Sequence, residues 1–549
     1  MTTRREFLIG TAGFATVGAA ASEQPIWKAG IITDTHVNKT LESCARTELA
    51  FKLFAKHDID LFVHCGDFAR VFDPSGYEFL RKVFDKVFAS KRPREVWIYA
   101  GHDYMGKESI PFDKAMEEVR SFLKAPNGLW ECFDIQGWPI VAYPHHFSEK
   151  RLVEVLDETV VKYPDKPIFV FGHEPPLGCA DNSVTWGSSK LKRIFSKYPQ
   201  VVAINGHAHS SLRSELNIWQ GEFTNVNAGC LQCWDGELIG ASSCGKENYG
   251  ALILEVFSNR LVFRRYDVRT GVEYAADDPW TIPLPFNPAT APYRRDRRMS
   301  VEPKPHFAEG ARLTFAADDP FTALTIKIPR AESPNGCYRY QVEVLSDVRG
   351  KSSRGDVFGQ FYLAEHERKQ TVTARLNAGY FVGGLKYILR VTPCNCFGGA
   401  GKALEATFVS PEPFHGTRLV DVVDPMADLP FYSDNKLTKK VSVKDGWITA
   451  EGKSLWVPLR KDELGTFRMT FEAETDQLGP ETMSFHMRTA IVNRPLSSRM
   501  QTVAGHNGPV RYAIEFKRKQ AGGVLCLALE RVFGRVRISN ILLERLSPS

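Results

Sequence analysis

Five apolar runs in the first half of the chain end alike, and that repetition constrains the fold more than any other feature. Residues 29–33 lead into Asp34-Thr35-His36, and residues 59–64 precede Gly66-Asp67. Residues 96–99 precede Gly101-His102-Asp103, and residues 168–171 precede Gly172-His173. Residues 201–204 precede Gly206-His207-Ala208-His209. Each run has the length and content of a buried strand. Between them, apolar residues recur at helical spacing: Leu49, Leu53 and Phe54; Leu80, Val83, Phe84, Val87 and Phe88; Leu152, Val153, Leu156 and Val160. Strand–helix alternation specifies an α/β layered domain, here residues 22–282, with runs at 139–143 and 251–256 extending its sheets. In open α/β sheets the loops at the strand carboxyl ends form the ligand crevice. Five separated segments can therefore converge on one point.

What converges is carboxylate and imidazole, the ligand set for Zn, Mn or Fe. Asp34 and His36 are two apart, which places them on one side if strand geometry continues, and His207 and His209 share that spacing. Hydrolysing a phosphate ester needs an activated water and compensation for negative charge. Two cations roughly 3.5–4 Å apart supply both, and a bridging carboxylate lowers their repulsion. Asp67, after a buried-looking strand and a glycine, can be that bridge. Each motif alone is commonplace, and a lone histidine is more often a hydrogen-bonded structural residue. All five in order at strand ends point to a metal site.

These motifs resemble the calcineurin-like metallophosphoesterase family over about residues 27–280. The resemblance implies a calcineurin-like four-layer α/β/β/α sandwich with a dinuclear metal site at the strand ends. It implies that Asp34, His36 and His209 hold one metal, that Asp67 bridges, and that His173 and His207 hold the second. His102 matches the histidine that contacts the phosphoryl group and assists the leaving group, with Asp103 expected to orient its imidazole. One position departs. The family reads Gly-Asn-His-Asp or Gly-Asn-His-Glu, and this chain reads Ala100-Gly101-His102-Asp103. Gly101 replaces the asparagine whose amide oxygen ligates the second metal. That metal keeps Asp67, His173, His207 and water, and ligand loss should weaken it. Three outcomes follow: a dinuclear site with an extra water, one tight metal with the second recruited alongside substrate, or a lost activity with a retained binding role.

Other chemistries find no support. There is no Gly-x-x-x-x-Gly-Lys loop, and no Gly-x-Ser-x-Gly elbow near the candidate site. Cys230 and Cys233, with Cys244 nearby, lack the second pair that a structural zinc site requires, so an oxidised pair or simple burial is expected. His145 and His146 match no motif and read as loop residues that substrate contact could employ.

The remaining sequence supplies context. Arg4-Arg5 and Phe7-Leu8, an uncharged stretch and Ala19-Ala20-Ala21 resemble a twin-arginine signal peptide over residues 1–21. Residues 283–305 are rich in proline and carry Arg294, Arg295, Arg297 and Arg298, which reads as a solvated linker. Beyond it helical periodicity gives way to alternation, at 338–344 and 387–391. Residues 306–411 resemble a fibronectin type III domain, and 412–549 a jelly-roll β-sandwich of the carbohydrate-binding type. Trp447, Trp456, Phe485 and Tyr512 could stack on a sugar, although core packing is the default for such aromatics. The composition, 43% apolar and 24% charged, excludes disorder and collagen-like repeats. Seventy basic against 64 acidic residues give a net charge of +6, too balanced to call for long nucleic acid.

The expectation is an exported metallophosphoesterase, periplasmic or extracellular, with two metal ions (Mn, Fe or Zn) and two all-β sandwich domains. It would hydrolyse a phosphomonoester or phosphodiester by metal-activated water. The alternative is a catalytically weakened relative acting as a surface glycan-binding protein, with carbohydrate held at the C-terminal modules.

Overall fold

The structure, a computed structural model, describes residues 23–37, 41–231, 249–346, 352–363 and 365–422. In the last part of the chain it describes 432–433, 443–449, 453–461, 464–475, 483–490, 494–495, 501–503, 509–518, 524–532 and 535–547. The signal-like segment 1–21, Cys233 and Cys244 lie outside the described residues.

The apolar runs are strands. The chain first forms β1 (Trp27–Ile32), α1 (Leu41–His57), β2 (Leu61–His64), α2 (Pro74–Val87) and β3 (Arg94–Trp97). The short α3 (Gly101–Tyr104) and α4 (Phe112–Leu123) follow. Next come β4 (Glu131–Ile135), β5 (Trp138–Ala142), α5 (Glu149–Lys162) and β6 (Ile168–Phe171). Then come α6 (Ser183–Trp186), α7 (Ser189–Phe195), β7 (Val201–Asn205), β8 (Ile218–Gln220) and β9 (Thr224–Asn227). A meander of β10 (Gly250–Val256), β11 (Arg260–Asp267), β12 (Val272–Tyr274) and β13 (Trp280–Pro283) closes this part.

Two sheets result. One has the order β12-β11-β10-β1-β2-β3, with β13 also on β11; the other has the order β4-β5-β6-β7-β9-β8. Strands β1, β2 and β3 run parallel, as do β5, β6, β7 and β9. Leu61, Val63 and Val96 of the first sheet share one apolar core with Ile140, Phe169 and Ile204 of the second. Their neighbours in sequence point the other way, as strand alternation requires. Phe62 and Trp97 pack against Phe51, Phe54, Phe84 and Met116 from α1, α2 and α4. Val141, Val170 and Ala203 pack against Leu152, Leu156, Leu191 and Ile194 from α5 and α7. Burial on both faces explains why these strands read as continuous apolar runs. Gly30 belongs to the same packing, since a Cβ there would lie 2.6 Å from Cγ of Phe54.

Segment 283–305 corrects the solvated-linker reading. It carries α8 (Arg295–Val301), and Arg298 is buried. The Arg298 Nη2 atom donates to Glu215 Oε2 at 2.8 Å and to Glu302 Oε2 at 3.2 Å. Arg265 Nη1 donates to the other oxygen of Glu215 at 2.8 Å. A basic residue in a proline-rich segment reads as solvated when its carboxylate partner stands 83 positions away.

The rest of the described chain is β-rich. Strands β14 (Thr314–Ala317), β15 (Ala323–Pro329), β16 (Arg339–Ser346), β17 (Ser352–Phe358), β18 (Thr371–Asn377), β19 (Lys386–Cys394) and β20 (Leu404–Val409) form two sheets, β14-β15-β18 and β17-β16-β19-β20. Leu324 and Ile326 of one meet Tyr340, Val342 and Leu389 of the other in a common core. Two six-stranded sheets follow, in which Arg535–Ser547 pairs with Gly465–Thr475 and Thr417–Val422. Tyr512 is buried and stacks on Phe471 at a centroid distance of 5.5 Å, so it is a core residue and not a sugar platform. Trp447 is half-buried beneath the guanidinium groups of Arg535 and Arg537. The side chains of Trp456 and Phe485 lie outside the described residues. Among the described residues no helix is long and apolar enough to cross a membrane.

Burial would raise the Glu215 carboxyl, but Arg265 and Arg298 hold it down at about 2. A depressed carboxyl adds stability above its unfolded value near 4.5, and that stability is lost as pH falls towards 2. The Glu215→Gln variant leaves buried Arg265 without its counter-charge and Arg298 with Glu302 alone, at a cost of about 3 kcal/mol. Calorimetry should show a lower melting temperature at pH 7 and a shallower acid decline between pH 4.5 and 2. Equal melting temperatures at pH 7 would show that the ion cluster contributes nothing.

Candidate metal centre

The strand ends place their polar residues by unusual backbone geometry. Asp34 (φ 51°), His36 (φ 40°), Asp67 (φ 55°), His207 (φ 64°) and His209 (φ 47°) all adopt left-handed conformations. Such conformations cost non-glycine residues roughly 1–2 kcal/mol each and persist where surrounding structure imposes them. Gly66 (φ 102°) precedes Asp67, and a Cβ on it would lie 2.7 Å from Nδ1 of His173. Five of the six residues expected as ligands are strained in this way, and His173 is the sixth.

Each carboxylate has one oxygen tied to the framework and one turned inward. The Asp34 Oδ2 atom accepts from Thr33 Oγ1 at 2.6 Å and from the His207 backbone N–H at 2.9 Å. Its Oδ1 faces His209 Nε2 at 3.0 Å and His36 Nε2 at 3.7 Å. The Asp67 Oδ1 atom accepts from the His102 backbone N–H at 3.0 Å. Its Oδ2 faces His173 Nε2 at 3.2 Å and His36 Nε2 at 4.0 Å. Two groups of donor atoms, each within 4.8 Å of one another, emerge: Asp34, His36, Asp67 and His209, then Asp67, His173 and His207. Asp67 belongs to both.

The donor chemistry fits cations. Nε2 of His36 and of His209 stand 3.1 Å apart, where at most one proton can lie between them. His173 Nδ1 donates to the Cys65 carbonyl at 2.8 Å, which turns Nε2 inward towards the two carboxylates. That Nε2 is buried and makes no well-angled hydrogen bond. Burial would raise Asp34, yet His209 and His173 hold it well below the usual carboxylate range. Burial likewise opposes ionisation of Asp67, and the His173 and His36 imidazoles reverse it. Burial and the neighbouring His173 push His207 down to about 3, so its ring is neutral. Burial would lower His173, but Asp67 and Asp34 push it up to about 10. Ionised carboxylates beside imidazole nitrogens make a negative pocket that attracts positive charge.

His102 stands at the edge, its side chain 22% exposed and therefore reachable from outside. The Nδ1 atom bonds the Arg70 carbonyl at 2.8 Å, and Nε2 lies 3.9 Å from Asp67 Oδ2. The expected orienting role of Asp103 is thereby corrected. Asp103 is buried and accepts from the backbone N–H groups of Phe68, Ala69 and Ala100. Adjacent residues on a helical turn project to different faces, so Asp103 caps the loop after Asp67 while Arg70 orients the imidazole. Buried His64 is a structural histidine: its Nδ1 accepts from Gly66 N–H at 3.2 Å, and its Nε2 meets Thr35 Oγ1 at 3.0 Å.

Three neighbours matched no sequence motif. His145 packs beside His173 and His207, with ring centroids 5.9 Å and 6.3 Å away. Burial and the nearby His173 push it down to about 4. Trp186, 37% exposed, meets His207 edge-on at 5.9 Å and forms part of the rim. Asn182, just before α6, donates to the carbonyl of Ala208, between the two loop histidines.

Residues 28–211 match the calcineurin-like phosphoesterase family. No curated protein matches the chain. Similar solved structures include a dimetal phosphatase of Danio rerio, 11% identical with a TM-score of 0.33, covering 47% of this chain and 99% of that one. GAP50, described as the anchor in the inner membrane complex of Plasmodium, is 12% identical with a TM-score of 0.34, covering 48% and 92%. The purple acid phosphatase PPD1 of yellow lupin, Lupinus luteus, is 15% identical with a TM-score of 0.33, covering 48% and 54%. With the family matched over the segments that build the carboxylate–imidazole cluster, the chain carries a calcineurin-like metallophosphoesterase domain and is a hydrolase of that class.

Proposed function

We propose that this chain is an exported, metal-dependent phosphoesterase that hydrolyses a phosphomonoester or phosphodiester at a dinuclear site. The observation that carries the reading is that Asp67 belongs to both donor groups. Asp34, His36 and His209 complete one metal position, and His173 and His207 complete the other. Two bound cations (Mn, Fe or Zn) supply Lewis acidity towards the phosphoryl oxygens and make water nucleophilic near neutral pH. The protein's own part is to hold charge and protons in place. Asp34 and Asp67 fix negative charge inside the domain, each through one framework-bound oxygen. His102, its Nδ1 committed to the Arg70 carbonyl, presents Nε2 as the atom that steadies or protonates the departing oxygen.

This domain is read as a four-layer α/β/β/α sandwich spanning 22–282. Behind it stand the segment 283–305, a fibronectin type III-like unit over 306–411 and a jelly-roll-like unit over 412–549. A twin-arginine signal over 1–21 would place the mature protein in the periplasm or outside the cell, with carbohydrate as a partner of the C-terminal units.

Two variants test the site. His102→Ala should lower turnover of a chromogenic phosphoester by about 10²-fold or more while metal content stays at the wild-type level. Wild-type turnover would remove His102 from the mechanism. Asp67→Asn should deplete metal at both positions, read by elemental analysis of the purified protein. Two ions bound as in wild type would sink the bridging role.

A further inference from the structure

Gly101 stands where the family resemblance expects an asparagine ligand, and the structure shows what fills the space. A Cβ built on Gly101 would meet Nε2 of His145 at 3.4 Å, Cδ2 at 3.7 Å and Cε1 at 4.0 Å. The imidazole therefore lies over the glycine, along the direction in which a side chain at 101 would project. Its place is set by backbone: the His145 N–H donates to the Tyr99 carbonyl at 2.9 Å, which joins the end of β5 to the end of β3. The ring packs beside His173 and His207, two of the three residues of the second donor group. Its buried Nδ1 makes no hydrogen bond and lies 3.9 Å from Glu174 Oε1, while Nε2 is the ring nitrogen on the Gly101 side.

We infer that His145 replaces the missing asparagine: its imidazole fills the volume vacated at Gly101 and supplies the fourth protein donor to the second metal position, with Asp67, His173 and His207. The inference rests on the dinuclear reading above. The ring stands beside the trio rather than within its 4.8 Å spacing. A ring nitrogen reaches the group only if the side chain rotates, with the backbone tie to Tyr99 kept. An imidazole is a stronger donor than an amide oxygen for Zn and the later first-row metals, so the exchange also biases metal choice. A carboxamide at position 101 would have to share its space with the His145 ring, which the Cβ alone already meets at 3.4 Å.

The test is calorimetric titration of Mn²⁺ and of Zn²⁺ into chelator-treated protein, with elemental analysis of the products. It compares wild type, His145→Ala, Gly101→Asn and the double variant Gly101→Asn/His145→Ala. Wild type should take up two ions. His145→Ala should bind the first with unchanged affinity, which also reports that the domain is folded, and the second at least tenfold more weakly. Gly101→Asn alone should not tighten the second ion. The double variant should recover its Mn²⁺ affinity to within a few-fold of wild type. A second-site affinity equal in wild type and His145→Ala overturns the inference and leaves the dinuclear reading standing. A wild type that takes up a single ion overturns both.

Discussion

The structure turns on the burial of two carboxylates, Asp34 and Asp67, in one polar pocket between two apolar layers. Charges of like sign at that depth are tolerated only with compensation from hydrogen bonds and cations. Hydrogen bonds supply part of it, because each residue spends one oxygen on backbone N–H groups at the strand ends. Those bonds also dictate the local chain path: His207 N–H reaches Asp34, and His102 N–H reaches Asp67. Loops from both sheets are thereby tied to each other through the carboxylates. The second oxygens are left facing imidazole nitrogens, where cations would complete the balance. Charge counting over the whole chain misses this, since bound ions would be the largest local charges at the site.

The first β-rich unit is linked to the same site through a short chain of hydrogen bonds. Tyr338, just before β16, donates its hydroxyl to Asp181 at 2.7 Å, and Ser214 donates to the other oxygen of that carboxylate at 2.6 Å. Asn182, the next residue, bonds the Ala208 carbonyl between His207 and His209. Leu216, Tyr338, Phe361 and Phe397 form an apolar cluster over the same contact. The ion cluster of Glu215, Arg265, Arg298 and Glu302 lies alongside it and ties down α8. The unit after residue 305 is thus docked on the loops that carry the second group of donors.

Legibility in the sequence followed the range of the interaction. Strand runs and the motifs after them are local patterns, so the sheets, their helices and the six clustered carboxylate and imidazole residues could be read directly. Asp103 was misassigned for a reason of local geometry: neighbours in sequence are not neighbours in space once the backbone turns into α3. Arg298 was misread because its carboxylate partners stand at 215 and 302, and only folding brings 215 close. His145 was silent for a related reason. Its significance depends on a glycine 44 positions earlier and on the register between two strand ends. Tyr512 illustrates the opposite case, in which the general preference of aromatics for cores was the better guide.

The left-handed backbone at the ligands links these observations. Five strained residues would be a liability of several kcal/mol if the loops were independent. They are not independent, because each strained residue follows a buried parallel strand whose position is fixed by the apolar core. A strand that must stay in register cannot relax the loop behind it. The strain therefore holds the donors in a convergent arrangement before any ion arrives, which reduces the reorganisation that binding requires. Glycine plays a different part at two neighbouring points. Gly66 allows the turn that delivers Asp67 and leaves room for His173. Gly101 gives up a side chain and leaves room for His145. In this reading the departure at 101 relocates a ligand from one loop to another, and the pocket keeps its density of donors.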